Sequence, residues 1–399
     1  MSSAERWPFR ALPRNARRLL DTLRRHGRAT RADLVEATGM SRATVSVALA
    51  RLTREGLVIE VAESAGTGPS GGRPPLVVRL GPRAGLAVGV DVGRRHLRVA
   101  VADLGHEVLA EDARELCGEV GAETVLDLAA ELVCSALSRL GHSVADVVGV
   151  GMGIPAPVAQ GTGRVVAPTI LPEWAHLCAG AELADRLGRP VVTDNDANLG
   201  ALAEHMWGAG RGHDTIAYIK AATGIGGGIV VAGRLFRGLS GTAGELGHVV
   251  LDENGDVCRC GNRGCLELVA GGSALVAALR RSNRNVTSLP ELIQYVRAGD
   301  TACVRLVADA GTHIGIAVGS LVNVLNPQRI IVGGELGQAG EVLLEPMRRA
   351  LRRCAVSPAV DSVEVVPCGL GDRSEVLGAV AVVLREPERV QQVTAERVG

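Results

Sequence analysis

Gly89–Asp103, GVDVGRRHLRVAVAD, decides how the longer part of the chain folds. Two apolar, alternating runs flank a short turn that contains Gly93, which predicts a β-hairpin. An aspartate and then a glycine at a strand end open a phosphate-binding hairpin, where the backbone can approach an anion closely. Arg94 and Arg95 then stand where a second glycine and a small hydroxyl residue would admit a terminal phosphate. Both arginines suit an anion, yet they fill the space of a γ-phosphate, which weighs against phosphoryl transfer.

A second hairpin of this type follows at 215–236, TIAYIKAATGIGGGIVVAGRLF, with a glycine turn from Thr223 to Gly228. Between the two lie an amphipathic helix (122–141), the buried strand and Gly/Pro loop VVGVGMGIPAPV (147–158), and a strand, polar turn and helix (189–210). Two hairpin-led halves predict an α/β body of two similar lobes. Ligands of such sheets sit at strand ends, here in a cleft between the lobes.

Composition agrees. Hydrophobic residues make up 47% and aromatics 2%, so Ala, Val and Leu must build the core, and 52 glycines suit many tight βα turns. No run of about 18 apolar residues is apparent, so no membrane span is expected. The basic start lacks the apolar core of a secretory signal, which predicts a cytoplasmic protein. A net charge of zero conceals an asymmetry: residues 1–80 hold 14 Arg against 7 acidic residues, and the remainder 29 basic against 36 acidic. A basic arm on an acidic body suits nucleic acid, or is a solvated helical surface.

Three helices are predicted in that arm. RNARRLLDTLRRHG stops at Gly27; TRADLVEATG has Thr30 as N-cap, Asp33 three residues on and Gly39 past its end; SRATVSVALARLTREG runs from Ser41 to Gly56. The spacing of the last two is that of a helix-turn-helix. Arg42, Thr44 and Ser46 lie opposite the buried stripe of the third helix, at the end that meets base edges, and Ser41 with the helix amides can meet phosphate. Two short β-prone runs around a Gly/Ser/Pro segment (61–80) follow, as in a wing, and there Arg73 would suit a narrow minor groove; the same segment also reads as a linker.

Within TDNDANLGA, Asp196 could be a general base on a hydroxyl that Asn195 orients, or both could cap a helix. The strongest local signal is GELGHVVLDENGDVCRCGNRGCLE (244–267). His248, Cys258, Cys260 and Cys265 fall within 18 positions, with Gly261 and Gly264 for tight turns. This predicts a closed Cys₃His zinc site with a structural role. Zinc would fix the loop carrying Glu245 and Glu267, which with Asn195, Asp196 and His248 form an acceptor-rich pocket suited to the vicinal hydroxyls of a sugar. The other six cysteines read as core filling.

Taken together, VDVG, GMGIPAPV, TDNDAN, TGIGGGI, GELGH, CRCGNRGCLE and IIVGGEL resemble the ROK family of repressors and sugar kinases. The resemblance implies a two-lobed actin-like ATPase (ribonuclease H-like) body, preceded here by a winged helix-turn-helix as in the repressor branch. It implies sugar contacts from Asn195, Asp196, Glu245, His248 and Glu267, with Asp196 as the catalytic base of kinase members. Gly333 and Gly334 match the adenosine-side motif. The first phosphate turn departs from the family's D-x-G-G-T at Arg94 and Arg95. The expected domains are a DNA-binding domain at 1–80, a lobe at 85–199 rejoined by a C-terminal helix near 372–385, and a lobe with the zinc loop at 200–371. The expected function is a sugar-responsive transcriptional regulator, a repressor that binds a near-palindromic DNA operator as a dimer or tetramer, is released by a monosaccharide or sugar derivative, and has no enzymatic activity. The alternatives are an ATP-dependent sugar kinase and a regulator or activator controlled by a partner protein.

Overall fold

The computed structural model describes residues 12–62, 76–116, 120–167, 169–282 and 285–396. Its N-terminal part is α1 (Arg14–His26), β1 (Arg28–Thr30), α2 (Arg31–Thr38), α3 (Arg42–Arg54), β2 (Val58–Ala62) and β3 (Leu76–Leu80). Local chemistry sets these boundaries. Thr30 and Asp33 form a capping box at α2, Gly39 ends it at φ 63°, and the Ser41 hydroxyl accepts from Thr44 N at the start of α3. Leu19, Leu20, Leu23, Leu34, Leu49 and Leu52 are fully buried and form the core of this domain. The small sheet has the order β1-β3-β2, so a strand unforeseen in the sequence, β1, pairs with the wing strand β3. Arg73 lies outside the described residues.

The body continues with β4 (Leu86–Val92), β5 (His96–Asp103), β6 (Val108–Glu115), α4 (Ala122–Arg139), β7 (Val147–Ile154), α5 (Ala179–Leu187) and β8 (Val191–Asn195). These strands form a sheet of order β6-β5-β4-β7-β8. Then come α6 (Asp196–Met206), β9 (Ile216–Ala221), β10 (Ile225–Val231), β11 (Arg234–Phe236), α7 (Glu267–Ala270), α8 (Gly272–Arg281), α9 (Leu289–Arg297), α10 (Thr301–Leu325), β12 (Arg329–Gly333), α11 (Glu341–Cys354), α12 (Ser357–Ser362) and β13 (Glu364–Pro367). The second sheet is β11-β10-β9-β12-β13, with β9 to β11 antiparallel and β12 parallel to both β9 and β13. Each sheet thus places its strands in the order third, second, first, fourth, fifth, so the two hairpin-led halves share one topology. The chain ends with α13 (Ser374–Arg385) and α14 (Pro387–Glu396).

Two compact units result. One holds the residues up to Met152 with Ala179–Val192 and those from Ala379 on; the other holds Gly153–Cys178 and Thr193–Gly378. The loop after β7 and the start of α6, read in the sequence with the first lobe, group with the second sheet, because α6 packs on β9 and β10.

In the first unit, the winged helix is fastened to the β5–β6 turn and to α13. The His106 ring Nε2–H donates to the Arg24 carbonyl at 2.6 Å, and Arg385 Nη1 donates to the Arg25 carbonyl at 3.0 Å. Both use carbonyls that the end of α1 leaves without helical partners. Arg79 on β3 pairs with Glu107 and lies 3.8 Å from Asp103.

In the second unit, α10 is long and apolar enough, by length and composition, to cross a membrane, contrary to the expectation of no such segment. Its packing accounts for the composition. Gly311 and Gly315 bring α10 so near α11 that an added Cβ would lie 2.3 Å from the Leu343 and Met347 carbonyl oxygens. The helix is part of the largest core of this unit, with Val307, Ile314, Val318 and Val322 buried. No described cysteine is in a disulfide. Cys303 is buried as expected, but Cys134 and Cys354 are exposed, Cys134 because it falls off the buried stripe of α4. Cys117 lies outside the described residues.

Candidate functional site

Asn195 ends β8 and is the N-cap of α6, its Oδ1 accepting from Ala197 N at 2.9 Å and Asn198 N at 3.2 Å. The capping role is therefore real, and it leaves the Asn195 amide nitrogen for another acceptor. Asp196, one residue on, is buried. Its Oδ1 accepts from Ala197 N at 2.7 Å, and its Oδ2 lies 2.9 Å from Lys220 Nζ. Lys220, on β9, also reaches Glu375 Oε1 at 3.5 Å, and Tyr218 OH donates to the same oxygen at 3.0 Å. Beside them, Arg237 Nε holds Asp194 at 2.7 Å.

The glycines of TGIGGG serve this site by close packing. The turn proper is Ala222–Gly224, and Gly226 to Gly228 run within β10. A Cβ on Gly228 would lie 2.3 Å from the Ala197 carbonyl, and one on Gly227 would lie 2.7 Å from the Gly244 carbonyl. Both the start of α6 and the segment carrying Glu245 thereby lie close against β10. Glu267, at the start of α7, accepts from Ile225 N at 3.2 Å and pairs with Arg259 at 2.5 Å.

Glu245 completes the cluster. Burial pushes its carboxyl up to about 7, and the neighbouring Asp196 and Glu267 charges push the same way. Its Oε2 is 3.9 Å from His248 Nε2. The other ring nitrogen, Nδ1, lies 3.6 Å from Cys258 Sγ, while Cys260 Sγ and Cys265 Sγ are 3.7 Å apart. The ligand atoms of His248, Cys258, Cys260 and Cys265 all lie within 4.8 Å of one another. Such a cluster can hold a metal ion. Tetrahedral donors about 2.3 Å from zinc stand about 3.8 Å apart, and the closest observed pairs fit that edge. The loop is shaped for it: Gly261 and Gly264 take φ of 98° and 58°, and a Cβ on Gly264 would collide with the Asp252 carbonyl.

The β4–β5 turn, read in the sequence as a phosphate hairpin, is occupied by its own side chains. Asp91 is fully buried, with His96 Nε2 at 2.9 Å and Arg98 Nη1 at 3.8 Å. The His96 ring covers Gly93, so a Cβ there would fall 2.2 Å from it. Arg94 and Arg95 are exposed.

On α3, Ser41 and Thr44 share a hydroxyl contact of 2.9 Å at the helix start, and Ser46 lies 3.3 Å from Arg31, which also pairs with Glu60. Arg42 is exposed, and its side chain makes no hydrogen bond or ion pair among the described residues. Sequence reading missed Lys220, Arg237 and Arg259. Only Lys220 carried a signal, as the single lysine of the chain.

Comparison with known proteins gives two family matches, the ROK family over residues 87–386 and the MarR family over residues 12–68. The chain is 29% identical over 370 residues to the xylose repressor of Bacillus subtilis, covering 93% of this chain and 94% of that one. It is 33% identical over 310 residues to a glucokinase of Thermotoga maritima, covering 74% of this chain and 96% of the kinase. Among solved structures, a ROK family transcriptional regulator, described as a homologue of the E. coli MLC protein, superposes with a TM-score of 0.74 at 24% identity, covering 96% of this chain and 98% of that one.

Proposed function

This chain belongs to the ROK family, and on that premise we propose that it is a transcriptional repressor released from its operator by a monosaccharide or a close derivative. The observation that carries this is the presence, in one chain, of a winged helix with an outward-facing α3 and an acceptor-rich cluster at Asn195, Asp196, Glu245 and Glu267. Carboxylates and an amide at this density suit the vicinal hydroxyls of a sugar ring. The name of the Bacillus relative puts xylose and other aldopentoses first among candidates.

Asn195 Nδ2 donates to a sugar hydroxyl, while Asp196 and Glu267 accept from others. Glu245, protonated in part near neutral pH, can donate as well as accept. His248, through the Nδ1 that faces Cys258, would hold zinc together with Cys258, Cys260 and Cys265, leaving Nε2 on the side of Glu245. A zinc ion held there would supply a structural crosslink for the 249–266 loop. Asp196 accepts from Ala197 N and lies against the Lys220 ammonium, and its remaining lone pairs accept from the sugar. The His96 ring over Gly93 and the paired Asp91 weigh against phosphoryl transfer. Two copies of the chain would place two α3 helices about one DNA turn apart on a near-palindromic operator. Sugar binding would then lower DNA affinity by a coupling energy of about 1–3 kcal/mol.

The second reading, a sugar kinase, is favoured by the 33% identity to a glucokinase. Thermal unfolding with a panel of aldoses, aminosugars and sugar phosphates tests the pocket, and a coupled assay with ATP tests the chemistry. A repressor shows a ligand-raised midpoint without turnover. Turnover abolished by Asp196→Asn would establish the kinase instead.

A further inference from the structure

The outer face of α3 breaks a local rule. Arg42, Ala43, Ser46, Val47 and Ala50 are its exposed residues over the first turns. Val47 is 74% exposed, a large apolar side chain in the middle of an otherwise small or polar stripe. Nothing among the described residues covers it. Valine is a poor helix former, since its branched Cβ loses rotamer freedom against the preceding turn. It also buries nothing here, because the helix packs through Val45, Ala48, Leu49 and Leu52. A residue that opposes both propensity and packing is expected to serve a contact outside the chain.

Ala43 and Ala50, one turn to either side, are too small to screen it. Thr44 and Ser46 are partly spent inside the domain, on Ser41 and Arg31. The segment is basic in sequence: the first eighty residues carry 14 Arg against 7 acidic residues. A helix with an exposed arginine at its N-terminus and an exposed apolar knob five residues on complements the major groove. There the only apolar feature of a base edge is the C5-methyl group of thymine.

We propose that Val47 is a specificity-determining residue that packs on a thymine methyl in each operator half-site. This rests on the DNA-binding reading above and adds to it a base identity. The test uses the full-length, metal-loaded protein. A preferred duplex is first selected from a randomised pool, and each thymine is then replaced singly by deoxyuridine, which removes only the methyl. Loss of one buried methyl is expected to weaken wild-type binding about 4-fold at one thymine per half-site, and Val47→Ala should bind the thymine and uridine duplexes equally at that position. Because Val47 is exposed, the variant should melt with the wild type. Binding that depends on no thymine methyl, or an equal methyl effect in Val47→Ala, overturns the contact while leaving the DNA-binding reading intact. A Val47→Ala variant with altered oligomeric state and unaltered methyl dependence shows that a second copy covers Val47, and also overturns it. Failure to select any duplex overturns the DNA-binding reading and the contact together.

Discussion

Lys220 Nζ lies 2.9 Å from Asp196 Oδ2, and Lys220 is the only lysine in the chain. Lysine, Asp196 and Glu375 are buried together, at 14%, 8% and 5% side-chain exposure. One ammonium thus offsets two carboxylates away from water. Removing it takes the Lys220 cation from both, which for a buried pair costs about 3–5 kcal/mol. Lys220→Met should therefore lower the melting temperature of the protein substantially and weaken sugar binding. The double variant Lys220→Met/Asp196→Asn should recover part of the stability and none of the sugar affinity. Thermal melts and titration calorimetry distinguish the two effects.

The thiol and imidazole cluster should hold about one zinc ion per chain. Cys260→Ser or chelation should remove it, free the 249–266 loop and reduce sugar affinity through the loss of Glu267 and His248 placement. Elemental analysis measures the metal, and the sugar-induced rise in melting temperature measures the pocket. Metal-free protein that retains the full rise would show that the cluster has no part in holding the pocket.

His106 gives the seam between the winged helix and the body a pH dependence. Burial holds its ring down to about 4 from an ordinary value of about 6.5; the hydrogen bond to the Arg24 carbonyl opposes this, and the Arg385 and Arg24 guanidinium groups add to it. The folded chain keeps the ring neutral where the unfolded chain has taken up a proton. Its stabilising contribution is therefore whole above about pH 6.5 and is lost as pH falls toward 4, by roughly 3 kcal/mol at the limit. His106→Asn tolerates the residue's φ of 73° and cannot titrate in this range. Melting temperatures of the two proteins should differ in slope between about pH 6.5 and about pH 4.5 and run parallel above it.

The filled hairpin at Asp91–His96 predicts that ATP neither binds nor turns over. Equilibrium dialysis with a labelled nucleotide should show no saturable uptake in the presence of sugar. His96→Thr would uncover Gly93, yet should remain inactive because Arg94 and Arg95 still occupy the turn.

Features set by short-range chemistry were legible in the sequence. The capping box at Thr30 and Asp33, the Ser41 cap and Gly39 place the helix-turn-helix without reference to the rest of the chain. The metal cluster was legible because its ligands fall close together with glycines between them. What escaped depends on contacts distant in sequence. Lys220 meets Asp196 through strand register and Glu375 through a helix far along the chain. His106 and Arg385 reach α1 across 82 and 360 positions. The glycines at 226 to 228 looked like a turn because turns and close packing favour the same residue, and only the approach of α6 to β10 tells them apart. Val47 was not singled out in the sequence, because its exposure is decided by how α3 packs.

The most direct measurement is fluorescence anisotropy of a selected operator duplex bound to the metal-loaded protein, titrated with individual monosaccharides. A sugar-released repressor gives tight binding that one class of sugar reverses, with Asn195→Ala abolishing the reversal and sparing DNA affinity. Operator binding indifferent to every sugar, or ATP-dependent sugar phosphorylation lost in Asp196→Asn, would contradict it.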